Sequence, residues 1–157
     1  MRPLGAYFAP DTRMRQQGER GTEPLGGYAP VKESVILIVD DEERVLFVLQ
    51  NALMTTEDGF EVMTADSGYE ALQKMDEVGC DLLITDLIMP DMDGQELTRR
   101  VMAREDRPTV IWMTAHGCHS FAQDIEQLGI YRCVEKPLEI DQVRELARDA
   151  IGHRRRA

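Results

Sequence analysis

The chain has 157 residues, 43% of them hydrophobic and 30% charged, which suits one domain with a real core plus a tail. No apolar run reaches the roughly 18 residues of a membrane span, and the N-terminus lacks the apolar core of a signal peptide, so a cytoplasmic protein is expected. The net charge of −11 is uneven: residues 1–33 carry +1 and Arg154, Arg155 and Arg156 add +3, leaving −15 on residues 34–153, a body that repels nucleic-acid phosphates.

Residues 1–33 read as a flexible arm rich in Gly, Pro and Arg, without a sustained apolar period. PLGAYFAP at 3–10 and PLGGYAP at 24–30 form an imperfect repeat. It is either chance in a low-complexity segment or a pair of short docking motifs. From Ser34 strands and helices alternate. Ser34–Val39 (SVILIV) is a continuous apolar run, as a parallel strand buried on both faces requires. Val45, Leu46, Val48, Leu49, Ala52 and Leu53 recur at helical spacing. Phe60–Ala65 is the second strand, and Ala71, Leu72, Met75 and Val78 mark the second helix. Leu82–Thr85 is the third strand, followed by a helix through Leu97, Val101 and Met102. Thr109–Met113 is the fourth, followed by a helix through Phe121, Ala122, Ile125 and Leu128 that Gly129 ends. Ile130–Val134 is the fifth strand, and Val143, Leu146, Ala147, Ala150 and Ile151 mark the last helix, closed by Gly152. Residues 154–157 are then a basic tail. Five βα units predict an α/β fold, an open five-stranded parallel sheet with helices on both faces. In such sheets a ligand site lies beyond the carboxyl ends of the strands.

Those ends carry a distinctive set. Asp40, Asp41 and Glu42 follow the first strand, Asp86 the third, Thr114 and Ala115 the fourth, and Lys136 and Pro137 the fifth. Carboxylates gathered in one place repel each other unless a cation joins them. Hard oxygens with room for water suit Mg²⁺. A metal and an ammonium beside an ionised Asp86 supply what phosphoryl transfer needs: positioning and charge neutralisation. Thr114 can donate a hydrogen bond to a phosphoryl oxygen, and small Ala115 leaves access. No Gly-rich phosphate loop occurs, which argues against a nucleotide donor. Cys80, Cys118 and Cys133 form no CxxC pair and read as three reduced, structural thiols.

With VDDE at 39–42, TDLIMPDMDG at 85–94, MTA at 113–115 and EKP at 135–137, residues 35–151 resemble the CheY-like receiver domains of two-component signalling. The resemblance implies a flavodoxin-like sheet of order 2-1-3-4-5. It implies that Asp86 accepts the phosphoryl group and that Asp41 binds Mg²⁺ directly, Asp40 mainly through water, with the Ile88 carbonyl as a further ligand. Thr114 becomes the switch hydroxyl, Lys136 the phosphoryl clamp, and the Lys136–Pro137 bond is expected to be cis. Such a chain takes phosphate from a histidine kinase or a phosphotransfer protein and signals to an effector protein by contact, through the fourth helix, fifth strand and fifth helix. It is expected to act without nucleic acid or membrane, as a monomer or a phosphorylation-dependent dimer. It catalyses only its own phosphorylation and dephosphorylation. With the chain ending soon after the last helix, a stand-alone receiver is expected. A phosphorelay intermediate or phosphate sink, and a phosphate-independent interaction module, are the alternatives. A phosphatase acting on other molecules is disfavoured, because Leu87 and Ile88 stand where a second carboxylate is needed.

Two departures from the family pattern stand out. Cys133 occupies the place, three residues before Lys136, where the family often has an aromatic, and Tyr131 is expected on the opposite face. Ile88 and His116 flank the acceptor and the hydroxyl, the positions that tune dephosphorylation. An Ile cannot hydrogen-bond an attacking water, so slow self-dephosphorylation is expected, with His116 solvated at the rim.

Overall fold

A computed structural model of the chain describes residues 33–54 and 57–157. Apart from Glu33, the expected N-terminal arm and both copies of its repeat lie outside the described residues.

The apolar runs form β1 (Val35–Val39), β2 (Glu61–Ala65), β3 (Leu82–Asp86), β4 (Thr109–Thr114) and β5 (Arg132–Glu135). All pair in parallel, in the order β2-β1-β3-β4-β5. The expected strand order is therefore present. Every residue of β1 and β3 is buried, whereas β2 and β5 at the edges are mixed. Buried strands have no solvated face, which is why their sequences are unbroken apolar runs instead of alternating ones.

The helices are α1 (Glu43–Met54), α2 (Gly68–Val78), α3 (Gly94–Met102), α4 (Ala122–Leu128) and α5 (Ile140–Arg156), with a 3-10 turn at Cys118–Phe121. They cover both faces of the sheet. Leu37, Val39, Leu83, Val110 and Trp112 pack with Ala71, Met75, Leu97 and Val101 of α2 and α3. Ile36, Ile38, Ile84, Ile111 and Met113 pack with Leu46, Leu49 and Leu53 of α1 and Val143, Ala147 and Ile151 of α5. Alternate residues of each strand thus serve opposite layers. Capping fixes the helix ends: Ser67 and Asp93 accept the backbone N–H groups of Glu70 and Glu96, and Gly129 closes α4 in the left-handed region at φ 66°.

Three expectations change. Helix α5 does not close at Gly152 but continues to Arg156, so the arginines are its last turn and not a separate tail. Cationic side chains suit the negative end of a helix. They also find partners: Arg154 pairs with Asp81 at 3.2 Å, and Arg155 donates to Ser34 Oγ at 3.0 Å. Second, Cys118 and Cys133 are not reduced thiols but a disulfide, with Cα atoms 5.8 Å apart; only Cys80 is free. The bond joins the segment after β4 to the neighbouring strand, a proximity that sheet pairing creates and sequence spacing does not reveal. Third, β5 begins at Arg132, two residues later than expected. Tyr131 precedes it and packs toward α5, its ring 5.2 Å from that of His153, while Cys133 packs on the other layer. Among the described residues no helix is long and apolar enough to cross a membrane.

Candidate functional site at the carboxyl edge of the sheet

Strand register assembles the site. Val39 of β1 pairs with Thr85 of β3, which brings Asp40 level with Asp86. Asp86 pairs with Met113 of β4, and Thr114 with Glu135 of β5, so Thr114 and Lys136 stand one step further out. Backbone bonds fix these exits: Leu87 N–H donates to the Met113 carbonyl at 3.1 Å and Lys136 N–H to the Thr114 carbonyl at 2.8 Å. The Lys136–Pro137 bond is cis, as the resemblance implied.

Each expected side chain then takes its place. Asp40 is fully buried; its Oδ1 accepts the Glu42 N–H at 2.9 Å and its Oδ2 meets Lys136 Nζ at 2.6 Å. Lys136 also reaches Asp86 Oδ2 at 3.3 Å. Asp41 is exposed at the mouth, and carboxylate oxygens of Asp40, Asp41 and Asp86 all lie within 4.8 Å of one another. Burial, aided by the charge of Asp40, pushes the Asp86 carboxyl above the usual carboxylate range against the pull of Lys136. On Lys136 burial opposes the charge, yet the hydrogen bond to Asp40 and the charges of both aspartates carry its net shift upward. The site therefore holds more negative charge than one ammonium neutralises. That excess, on hard oxygens with the exposed Asp41 carboxylate at the solvent side, fits a divalent cation such as Mg²⁺.

Thr114 is fully buried and its Oγ1 accepts the His116 N–H at 2.9 Å, which leaves the hydroxyl proton for another acceptor. His116 is exposed at the rim. The Ile88 side chain is 56% exposed beside Asp86, and its backbone N–H supports the Asp86 carboxylate.

Residues 36–148 match the family model of the response regulator receiver domain. The chain belongs to this family. Over 120 residues it is 34% identical to the Escherichia coli (strain K12) transcriptional regulatory protein GlrR, covering 76% of this chain but 27% of that protein. It thus spans about a quarter of GlrR's length. Over 110 residues it is 32% identical to sporulation initiation phosphotransferase F of Bacillus subtilis (strain 168), covering 70% of this chain and 87% of that protein. Among solved structures, the signal receiver domain of an HD domain-containing protein from Pseudomonas fluorescens Pf-5 superposes with TM-score 0.73 at 28% identity, covering 80% of this chain and 100% of that one.

In this receiver domain buried side chains and a close backbone approach hold the loop after Asp86, the stretch that contains the Met89–Pro90 and Asp93–Gly94 pairs. Met89 and Met92 bury their side chains in the core and anchor the LIMPDMDG stretch. Gly94 closes the loop by donating to the Leu87 carbonyl at 2.9 Å, so close beneath Asp86 that a Cβ there would lie 2.1 Å from the Asp86 carbonyl oxygen. The Thr85 hydroxyl donates to that same carbonyl at 2.9 Å. The DG pair in the motif was the available signal for the close approach; nothing in the sequence marked Thr85.

Proposed function

We propose that this receiver accepts a phosphoryl group on Asp86 from a phosphohistidine of a kinase or phosphotransfer protein, with Mg²⁺ bound at the acidic cluster, and signals by protein contact. The observation that carries the reading is the Asp40–Lys136–Asp86 arrangement at one sheet edge. A carboxylate oxygen of Asp86 attacks phosphorus, the P–N bond to imidazole breaks, and the imidazole keeps the electron pair and takes up a proton. Lys136 neutralises charge on the transferred group, and Thr114 donates its hydroxyl proton to a phosphoryl oxygen. Asp41, Asp86 and the Ile88 carbonyl, together with Asp40, would hold Mg²⁺, which would supply the charge neutralisation that keeps Asp86 ionised and nucleophilic. The chain is then a switch that transforms only itself, acting in the cytoplasm. Its output is a shift between two conformers that the phosphoryl group biases differently.

Relay function is the second reading, supported by the B. subtilis relative, whose name describes a phosphotransferase and which this chain matches over 87% of its length. Rapid return of phosphate to a histidine protein distinguishes it from a terminal switch.

The test is intact mass after incubation with acetyl phosphate or a phosphorylated histidine protein. One phosphoryl adduct is expected, lost without Mg²⁺ and lost in Asp86→Asn. An adduct that persists in Asp86→Asn overturns the assignment. The exposed apolar side chain of Ile88 supports slow loss of the adduct. Ile88→Asn is expected to shorten its lifetime; a short lifetime unchanged by that substitution removes this part of the reading.

A further inference from the structure

Next to Thr114 lie two elements of the described fold that bury no residue fully, the 3-10 turn at Cys118–Phe121 and helix α4, seven residues long. Phe121, Ile125 and Leu128 pack against the core only partly buried, the Phe121 ring meeting Trp112 edge-on at 6.3 Å, and Cys118 N–H donates to Glu135 Oε1 at 3.0 Å. A further connection is covalent. Cys118, four residues after Thr114, is bonded to Cys133, which pairs in register with Trp112 on the adjacent strand. The bond closes the turn, α4 and the start of β5 into one ring.

We propose that the Cys118–Cys133 pair is a second covalent control point, a disulfide opened and closed by thiol–disulfide exchange with a dithiol, which sets the freedom of residues 115–128. Neither cysteine is fully buried, and Cys118 lies in a turn with no buried residue, which supports access of a reductant from that side. Cys80 differs: it is buried, and burial pushes its thiol up to about 12, so it stays an inert thiol. In the exchange a thiolate of the dithiol attacks one sulfur of the pair, the Cys118–Cys133 bond breaks and a mixed disulfide forms. The dithiol's second thiol then displaces the protein. Two electrons and two protons pass to Cys118 and Cys133, and the dithiol becomes a disulfide. In a reducing compartment disulfides are characteristically transient and redox-sensing, which fits an exchangeable pair better than a permanent brace. An element with only partly buried apolar side chains opens locally at lower free energy than the core, so a covalent tether restrains it further. The consequence for signalling rests on the proposed roles of Asp86 and Thr114: the oxidised chain restrains the segment leading out of Thr114, and the reduced chain releases it.

The test uses the full chain, treated with glutathione disulfide or with dithiothreitol, and reads native maleimide labelling by mass together with amide hydrogen exchange. Oxidation is expected to remove two labelled thiols. Reduction is expected to speed exchange in residues 115–128 by roughly tenfold or more while β1 and β3 stay protected. Cys118→Ser is expected to behave like the reduced protein under both treatments; the reduced wild type gives the same reading should that variant fold poorly. Equal exchange in the two redox states, or labelling unchanged by glutathione disulfide, overturns the proposal. Phosphate uptake from acetyl phosphate and from a phosphorylated histidine protein is followed in parallel. A redox-dependent exchange pattern without any Asp86 adduct leaves the tether standing and refutes the phosphoacceptor reading instead.

Discussion

Trp112 sits fully buried in the middle of β4, and its indole N–H donates to the Thr98 hydroxyl at 2.8 Å; that hydroxyl donates in turn to the Gly94 carbonyl at 2.6 Å. One threonine therefore satisfies two buried polar groups and ties β4 to the first turn of α3. Thr98→Val keeps the shape and removes the partner, so it is expected to cost about 1–3 kcal/mol in urea unfolding. A change below about 0.5 kcal/mol, the scale of an ordinary surface substitution, would show that the indole finds another acceptor. Nothing in the amino-acid pattern marks this role, because a threonine at a helical position reads as surface. Asp40, Asp86, Thr114 and Lys136 were legible for the opposite reason. Polar residues directly after apolar runs have one place to go, the edge of the sheet. Cys118 and Cys133 were misread, because neither spacing nor compartment logic says which thiols the fold brings together.

Among elements, the β3–α3 connection carries the tightest constraint. A Cβ on Gly94 would meet the Asp86 carbonyl oxygen at 2.1 Å and Leu87 Cα at 2.9 Å, and backbone atoms cannot rotate away as a side chain can. Gly94→Ala is expected to lower stability by about 1–3 kcal/mol or more and to displace the acceptor. Denaturant unfolding checks the first effect and the rate of adduct formation from acetyl phosphate the second. A variant with wild-type stability and rate would mean that the loop shifts without disturbing Asp86. The buried strands were readable from their apolar runs and α1–α3 from their helical period. Element ends were not: β5 starts only after Tyr131, whose ring packs on His153 of α5, and the last turn of α5 beyond Gly152 gains an ion pair and hydrogen bonds with residues far away in sequence.

Across the whole molecule, that last turn ties α5 to the amino ends of the strands, where backbone bonds from Asp81 already join β1, β3 and β4. Arg154 pairs with Asp81, whose other carboxylate oxygen accepts the Val35 N–H at 2.9 Å, and Arg154 also donates to the Arg107 carbonyl ahead of β4. Arg155 reaches Ser34. Removing residues 154–157 is expected to lower stability by about 0.5–1 kcal/mol, with a smaller loss in high salt, since partly exposed pairs are weak and screened. Thermal unfolding at low and high salt measures it; an unchanged midpoint at low salt would return these arginines to the role of a solvated end. By itself the sequence determined the fold class, the strand order through its resemblance, and the acidic and cationic residues of the site, because burial on both sheet faces and the strand-end rule leave few arrangements open. The tertiary structure alone decided the Cys118–Cys133 bond, the Thr98–Trp112 link, the fit of Gly94 under Asp86 and the reach of α5. Each of these depends on a distance between residues far apart in the chain, and such distances exist only once the sheet has set its register.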